Sequence, residues 1–142
     1  MIQYFSIFQL IIIANTIYQI NNSINKFKTI FDFLLLPLIL YYAIGHLFLS
    51  NKIAKSIGWK SSPFQTELGF FTMSIFIVGL YASINNNSNE TLKFISYIWI
   101  LFIIMTALNH IKEIIYDKNY SFNNIYPIFI TIITICFEVY YI

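Results

Sequence analysis

Residues 29–50 read TIFDFLLLPLILYYAIGHLFLS, and only Asp32 and His46 in that run carry a group that is charged near neutral pH. A helix gains about 1.5 Å per residue, so this run reaches across the roughly 30 Å apolar core of a bilayer. The rest of the chain is built the same way. Of its 142 residues 58% are hydrophobic and 10% charged, where a soluble domain carries about 25% charged residues to cover its surface. Mean hydropathy is +0.71. These numbers place the chain in a membrane as an all-α protein, one transmembrane domain of residues 1–142.

Outward from that run, five spans are expected, at about residues 3–20, 29–50, 63–84, 92–115 and 124–142. Helices satisfy their own backbone groups inside lipid. A β-barrel needs short alternating strands, and these runs are too long and unbroken for that. NNSINKFK (21–28), NNNSNE (85–90) and YDKNYSFNN (116–124) are the polar connections. Pro37 is expected to kink the second span, and Pro127 to fall near the first turn of the fifth, where it is tolerated. The first span lacks a lysine-rich start and a small-residue cleavage site, so it reads as a permanent span rather than a secretory signal.

With five spans, Lys52, Lys55, Lys60, Lys112 and Lys118 share a side with the N-terminus, and Lys26, Lys28 and Lys93 lie on the other. The lysine excess puts the N-terminus in the cytoplasm. The bilayer is the expected partner, with a homo-oligomer or a membrane partner a further option. A net charge of +2 is too small and scattered for nucleic acid. Cys136 excludes an internal disulfide and sits in an apolar run that suits an inert thiol.

The exception to the greasy pattern is NKIAKSIGWKSSPFQTELGF, residues 51–70. Ile53, Ala54, Ile57 and Trp59 alternate with Lys52, Lys55 and Lys60, which suits an amphipathic elbow at the interface with Trp59 as anchor at headgroup level. Gly58 allows the turn. Ser62, Pro63 and Gln65 read as an N-cap, a first helical residue and a capping box. Glu67, one turn inside the helix, is left over.

Ile57, Gly58, Trp59, Ser62, Pro63, Phe64, Gln65, Glu67, Gly69 and Phe70 together resemble the signature of an uncharacterised family of small bacterial and archaeal integral membrane proteins, IGW followed by SPFQ.E.GF. His46 matches an upstream histidine of that family and His110 a later one, with Asn109 where the family has glycine. The resemblance covers about residues 45–142. It implies a polytopic membrane protein in a prokaryotic cell membrane and no particular activity.

Alternating helix direction brings His46, Glu67, His110 and Glu113 to the same membrane face, and ionisable groups in spans are functional candidates by default. His110 and Glu113 share a helix face, which continues through Trp99, Thr106 and Asp117. Tyr42 sits one turn before His46. The candidate pocket is therefore His46, Glu67, His110, Glu113, Tyr42 and Asn109. His46, His110, Glu67 and Glu113 are the metal candidates, suited by type to zinc or non-haem iron but without a recognised ligand spacing. A bis-histidine haem is awkward at that shallow depth. The same residues suit a proton or small-molecule site.

The bland reading has the histidines bonding carbonyls, Glu113 snorkelling to water, and Glu67 capping its helix or pairing with Lys60. Asp32 lies near the opposite surface, and Glu138 is expected to snorkel from the far end of the last helix. Gly69, Thr72, Gly79 and Ser83 form a small-residue stripe for close helix packing, with a dimer interface as a possible use. A small-molecule, ion or proton handler, a non-catalytic accessory subunit and a membrane metal or redox enzyme all remain compatible with these residues.

Overall fold

The structure, a computed structural model, describes residues 2–60 and 62–141, with side chains from residue 7 onward. All regular structure among the described residues is helical. α1 (Ile2–Asn21) leads to α2 (Lys26–Ile30), a π-helical turn (Phe31–Leu35) and α3 (Leu36–Phe48), which run on as one rod. α4 (Ser50–Ile57) is the elbow, and α5 (Pro63–Ile84), α6 (Asn89–Tyr116) and α7 (Phe122–Tyr141) follow. Four helices are long and apolar enough to cross a membrane: Lys26–Phe48, Pro63–Ile84, Asn89–Tyr116 and Phe122–Tyr141. Ile7–Asn21 is a shorter apolar helix within α1. Large apolar side chains such as Phe70 (62% exposed) and Leu101 (60% exposed) face outward, as a protein bathed in hydrocarbon permits and one in water does not.

The expected boundaries shift by a few residues. The 63–84 helix falls where expected. The second rod begins three residues earlier, and α6 starts at Asn89 because Ser88 caps it, accepting from Thr91 N–H. α7 starts at Phe122, so Pro127 lies inside the helix rather than in its first turn. Its expected last residue, Ile142, is outside the described residues. Pro37 has no N–H for the carbonyl of Phe33. The hydroxyl of Thr16 on α1 reaches that carbonyl at 2.9 Å, sharing its one hydrogen with Ile12 C=O at 2.8 Å, and the π-helical turn just upstream absorbs the misfit in the hydrogen-bond ladder.

The most extensive packing joins α3 to α5, and the next joins α6 to α7. Gly69 allows the first: a Cβ there would lie 2.7 Å from Leu47 Cγ and 3.0 Å from the Leu47 backbone nitrogen. Gly69, Thr72, Gly79 and Ser83 are all buried within the chain. The small-residue stripe is therefore consumed by internal packing and is not an open dimer face. The core of Phe31, Leu34, Leu35, Leu38, Ile39, Leu92 and Trp99 sits where the π-turn, α3 and α6 meet.

A candidate ligand cavity at one end of the bundle

The elbow is where this end is assembled. Gly58 takes the left-handed conformation (φ 83°) that closes α4, a backbone state glycine enters without steric cost. The helix end leaves carbonyls to satisfy. Asn119 donates to Ile57 C=O at 2.6 Å and Asn123 to Ser56 C=O at 3.4 Å, tying the elbow to the α6–α7 connection. Asn124, fully buried, pairs its oxygen with His110 Nδ1 at 2.7 Å and donates to Asn119 C=O at 2.9 Å and His110 C=O at 3.3 Å. His110 is thus held in place from α7.

Trp59, read from the sequence as an interfacial anchor, turns inward. Its ring stacks on His110 with centroids 5.4 Å apart and planes 12° from parallel. The capping box is not formed either. Ser62 has the extended backbone of an N-cap but makes no side-chain cap bond, and Gln65 is buried with its side chain given to the interior.

Between the elbow and α1, α3, α5, α6 and α7 lies a cavity of about 860 Å³. Tyr42, His46, Asn109, His110, Glu113 and Trp59, all singled out from sequence, line it. Glu67 does not: it is exposed and stands outside the wall. Gln9 of α1, Gln65 of α5 and Lys60 add to the polar part of the lining, together with Ser56, Ser62, Thr106 and Asn123, and Tyr41, Phe64, Leu68, Phe102 and Met105 supply apolar surface. The four proposed metal ligands do not gather. Among the described residues no three histidine, cysteine, aspartate or glutamate side chains come together to hold a metal ion.

Four buried polar atoms of the lining have no hydrogen-bond partner among the described residues: Gln9 Oε1, His46 Nδ1, Trp59 Nε1 and Gln65 Oε1. The bland reading of His46, bonded to a neighbouring carbonyl, is not met at Nδ1. An unpaired buried polar group costs about 1–3 kcal/mol, and four of them belong to residues that line one space, which marks it as a place that a polar molecule or water completes once those side chains turn toward it. Sequence reasoning missed Gln9. It also read Asn119, Asn123 and Asn124 as loop punctuation. The signal available was Asn124 itself, a polar residue at the first position of an expected span.

Glu138 also departs from expectation. It is fully buried, not snorkelling, and neither carboxylate oxygen has a partner. At that same end Asp32 accepts from Lys28 Nζ at 2.6 Å and from Ser83 Oγ at 2.5 Å.

Residues 3–142 match the family described as "Family of unknown function (DUF6790)", and the chain belongs to it. No curated protein and no solved structure matches the chain.

Proposed function

We propose that this member of a family of unknown function is an integral membrane protein that binds a small, neutral, amphipathic molecule in the cavity beneath its elbow. The observation that carries the reading is that four residues lining the cavity each hold a buried polar atom with no hydrogen-bond partner among the described residues. Trp59 Nε1 can only donate, so the ligand offers an acceptor. The two glutamine oxygens accept, so it also offers donors, and His46 Nδ1 serves either way. Lys60 and Glu113 bring one charge of each sign to the lining, so no net charge favours an ion. A volume of about 860 Å³ lies within the usual range for small-molecule sites. The aromatic and aliphatic lining suits a ligand whose body partitions into the bilayer.

In this reading the whole chain is one domain with five spans, α1 being the first: its 20 residues come to about 30 Å of helix. The lysine distribution supports a cytoplasmic N-terminus and hence a cavity on the cytoplasmic side of a prokaryotic membrane. The IGW and SPFQ.E.GF residues are then the family signature because they build the elbow and hang Trp59 and Gln65 into the cavity.

An alkylphenol carries one hydroxyl, able to donate and accept, on an apolar chain. In a Trp99→Phe background Trp59 is the remaining tryptophan and reports from the cavity wall. The alkylphenol is expected to quench it saturably, an alkane of equal length is not, and the effect is expected to disappear in His46→Leu with Gln65→Leu. Equal quenching by the alkane, or undiminished binding in the double variant, would refute the reading.

A further inference from the structure

At the opposite end from the cavity, Glu138 has no exposed surface and, among the described residues, no partner for either oxygen. An isolated carboxylate is among the costliest groups to bury, and proteins neutralise or pair it. The cations on the elements packed against this part of α7 are otherwise engaged. On α2, Lys26 Nζ sits over the Tyr141 ring at 5.9 Å, and Lys28 is paired with Asp32 at 2.6 Å. On α6, Lys93 pairs with Glu90 at 3.4 Å and lies over the Phe27 ring at 6.0 Å. On α7 itself Tyr141 lies one turn on from Glu138, and Cys136 and Tyr140, two residues to either side, are exposed. α4, with Lys52 and Lys55, meets α7 near Asn123, at the cavity end.

The antiparallel register of α6 and α7 gives the polar residue of α6 at the depth of the carboxyl group. His110 meets Asn124, and seven residues along Thr131 Oγ1 reaches Ile103 C=O at 3.5 Å. The next step of seven, about two turns, sets Ser96 level with Glu138. Ser96 is fully buried, and Thr134, one turn before Glu138 on the same face of α7, is 1% exposed. Both hydroxyl hydrogens are committed to their own helices, Ser96 to Leu92 C=O at 2.9 Å and Thr134 to Ile130 C=O at 2.8 Å. What they retain is acceptor capacity.

We propose that Glu138 is a proton-binding site in the α6–α7 seam: its carboxyl group holds a proton as the neutral acid, in a seam whose other polar groups, Ser96 and Thr134, carry no charge. A monovalent metal ion is a poorer fit, because a hard cation takes a shell of about six oxygens and the seam offers few. The proposal stands apart from the cavity reading, since Glu138 is not part of the cavity lining.

The test is an infrared difference spectrum, wild type minus Glu138→Gln, of full-length protein in lipid nanodiscs at neutral pH. The expected result is a carboxylic-acid C=O band that is lost in the variant and unaffected by sodium or lithium chloride. Wild type is also expected to react with dicyclohexylcarbodiimide at Glu138. In that reaction the acid O–H adds across the C=N bond, the carboxyl oxygen bonding to carbon and the proton going to nitrogen. Peptide mass analysis reads the adduct without needing a folded variant. A carboxylate band at neutral pH overturns the proposal, as does protection from the carbodiimide by sodium or lithium, which would make the site a metal-ion site. Glu138→Gln, the neutral isostere, is expected to melt with wild type, and alkylphenol quenching of Trp59 to be unchanged in it.

Discussion

The two ends of the bundle hold similar kinds of residue and treat them in opposite ways. At one end Asp32, Lys28 and Ser83 close on one another, with Lys28 Nζ also donating to Ser83 Oγ at 3.0 Å. Asn25 caps the same helix and donates to Asn89 across the bundle at 3.1 Å. At the other end His46, Trp59, Gln65 and Gln9 each leave a buried atom unpaired around a cavity. A charged residue in an apolar helix is therefore not in itself the mark of a site. The mark is a polar group that the fold has buried and then left without a partner. Glu138 meets that criterion at the closed end, which is why the proton proposal attaches to it and not to Asp32.

The largest effect should come from the seam that joins both ends. Gly69→Leu forces a side chain into Leu47 and its backbone, and overpacking of this kind costs about 3 kcal/mol. Denaturant titration in detergent should show the loss. A stability equal to wild type would mean that α3 and α5 can slide apart, and the rigid frame assumed for both ends would go with it.

A smaller loss is expected at the closed end. Asp32→Ala leaves the Lys28 ammonium, with a side chain 26% exposed, without its counter-ion. Breaking a half-buried pair costs about 1–2 kcal/mol, between the surface and the fully buried cases. The alkylphenol signal from Trp59 should be untouched. A change in ligand binding without a change in stability would reverse the assignment of the two ends.

The smallest stability effect, and the one of opposite sign, belongs to the cavity. Gln65→Leu removes an unpaired oxygen, so stability should stay level or rise by up to about 1 kcal/mol. Alkylphenol affinity should fall by roughly tenfold, equivalent to about 1.4 kcal/mol for one lost hydrogen bond. A stability loss like that of Asp32→Ala would show that Gln65 is a structural residue after all, and the contrast between the ends would dissolve.

Much of the architecture was readable from residue order. The length of each apolar run sets which helices can span, because helical rise is fixed. Strict alternation of direction then brings His46, the SPFQ segment and His110 to one end, whatever the packing. Gly58 announced the turn after α4, since few other residues take φ 83°. Position along the chain could not reveal which face of a helix each polar side chain uses or who meets it there. Glu67 and Gln65 are two residues apart at the same depth, yet one is exposed and the other 5% exposed on the cavity wall. Trp59 carried the pattern of an interface anchor, and that pattern did not reveal that its ring covers His110. Glu138 had the position of a snorkelling residue and is sealed in. Membrane insertion and topology follow from apolar transfer summed over about twenty residues, a quantity composition sets. Partnering is decided over about 3 Å between side chains on different helices, so only the tertiary structure could separate the polar groups that close on themselves from those left waiting.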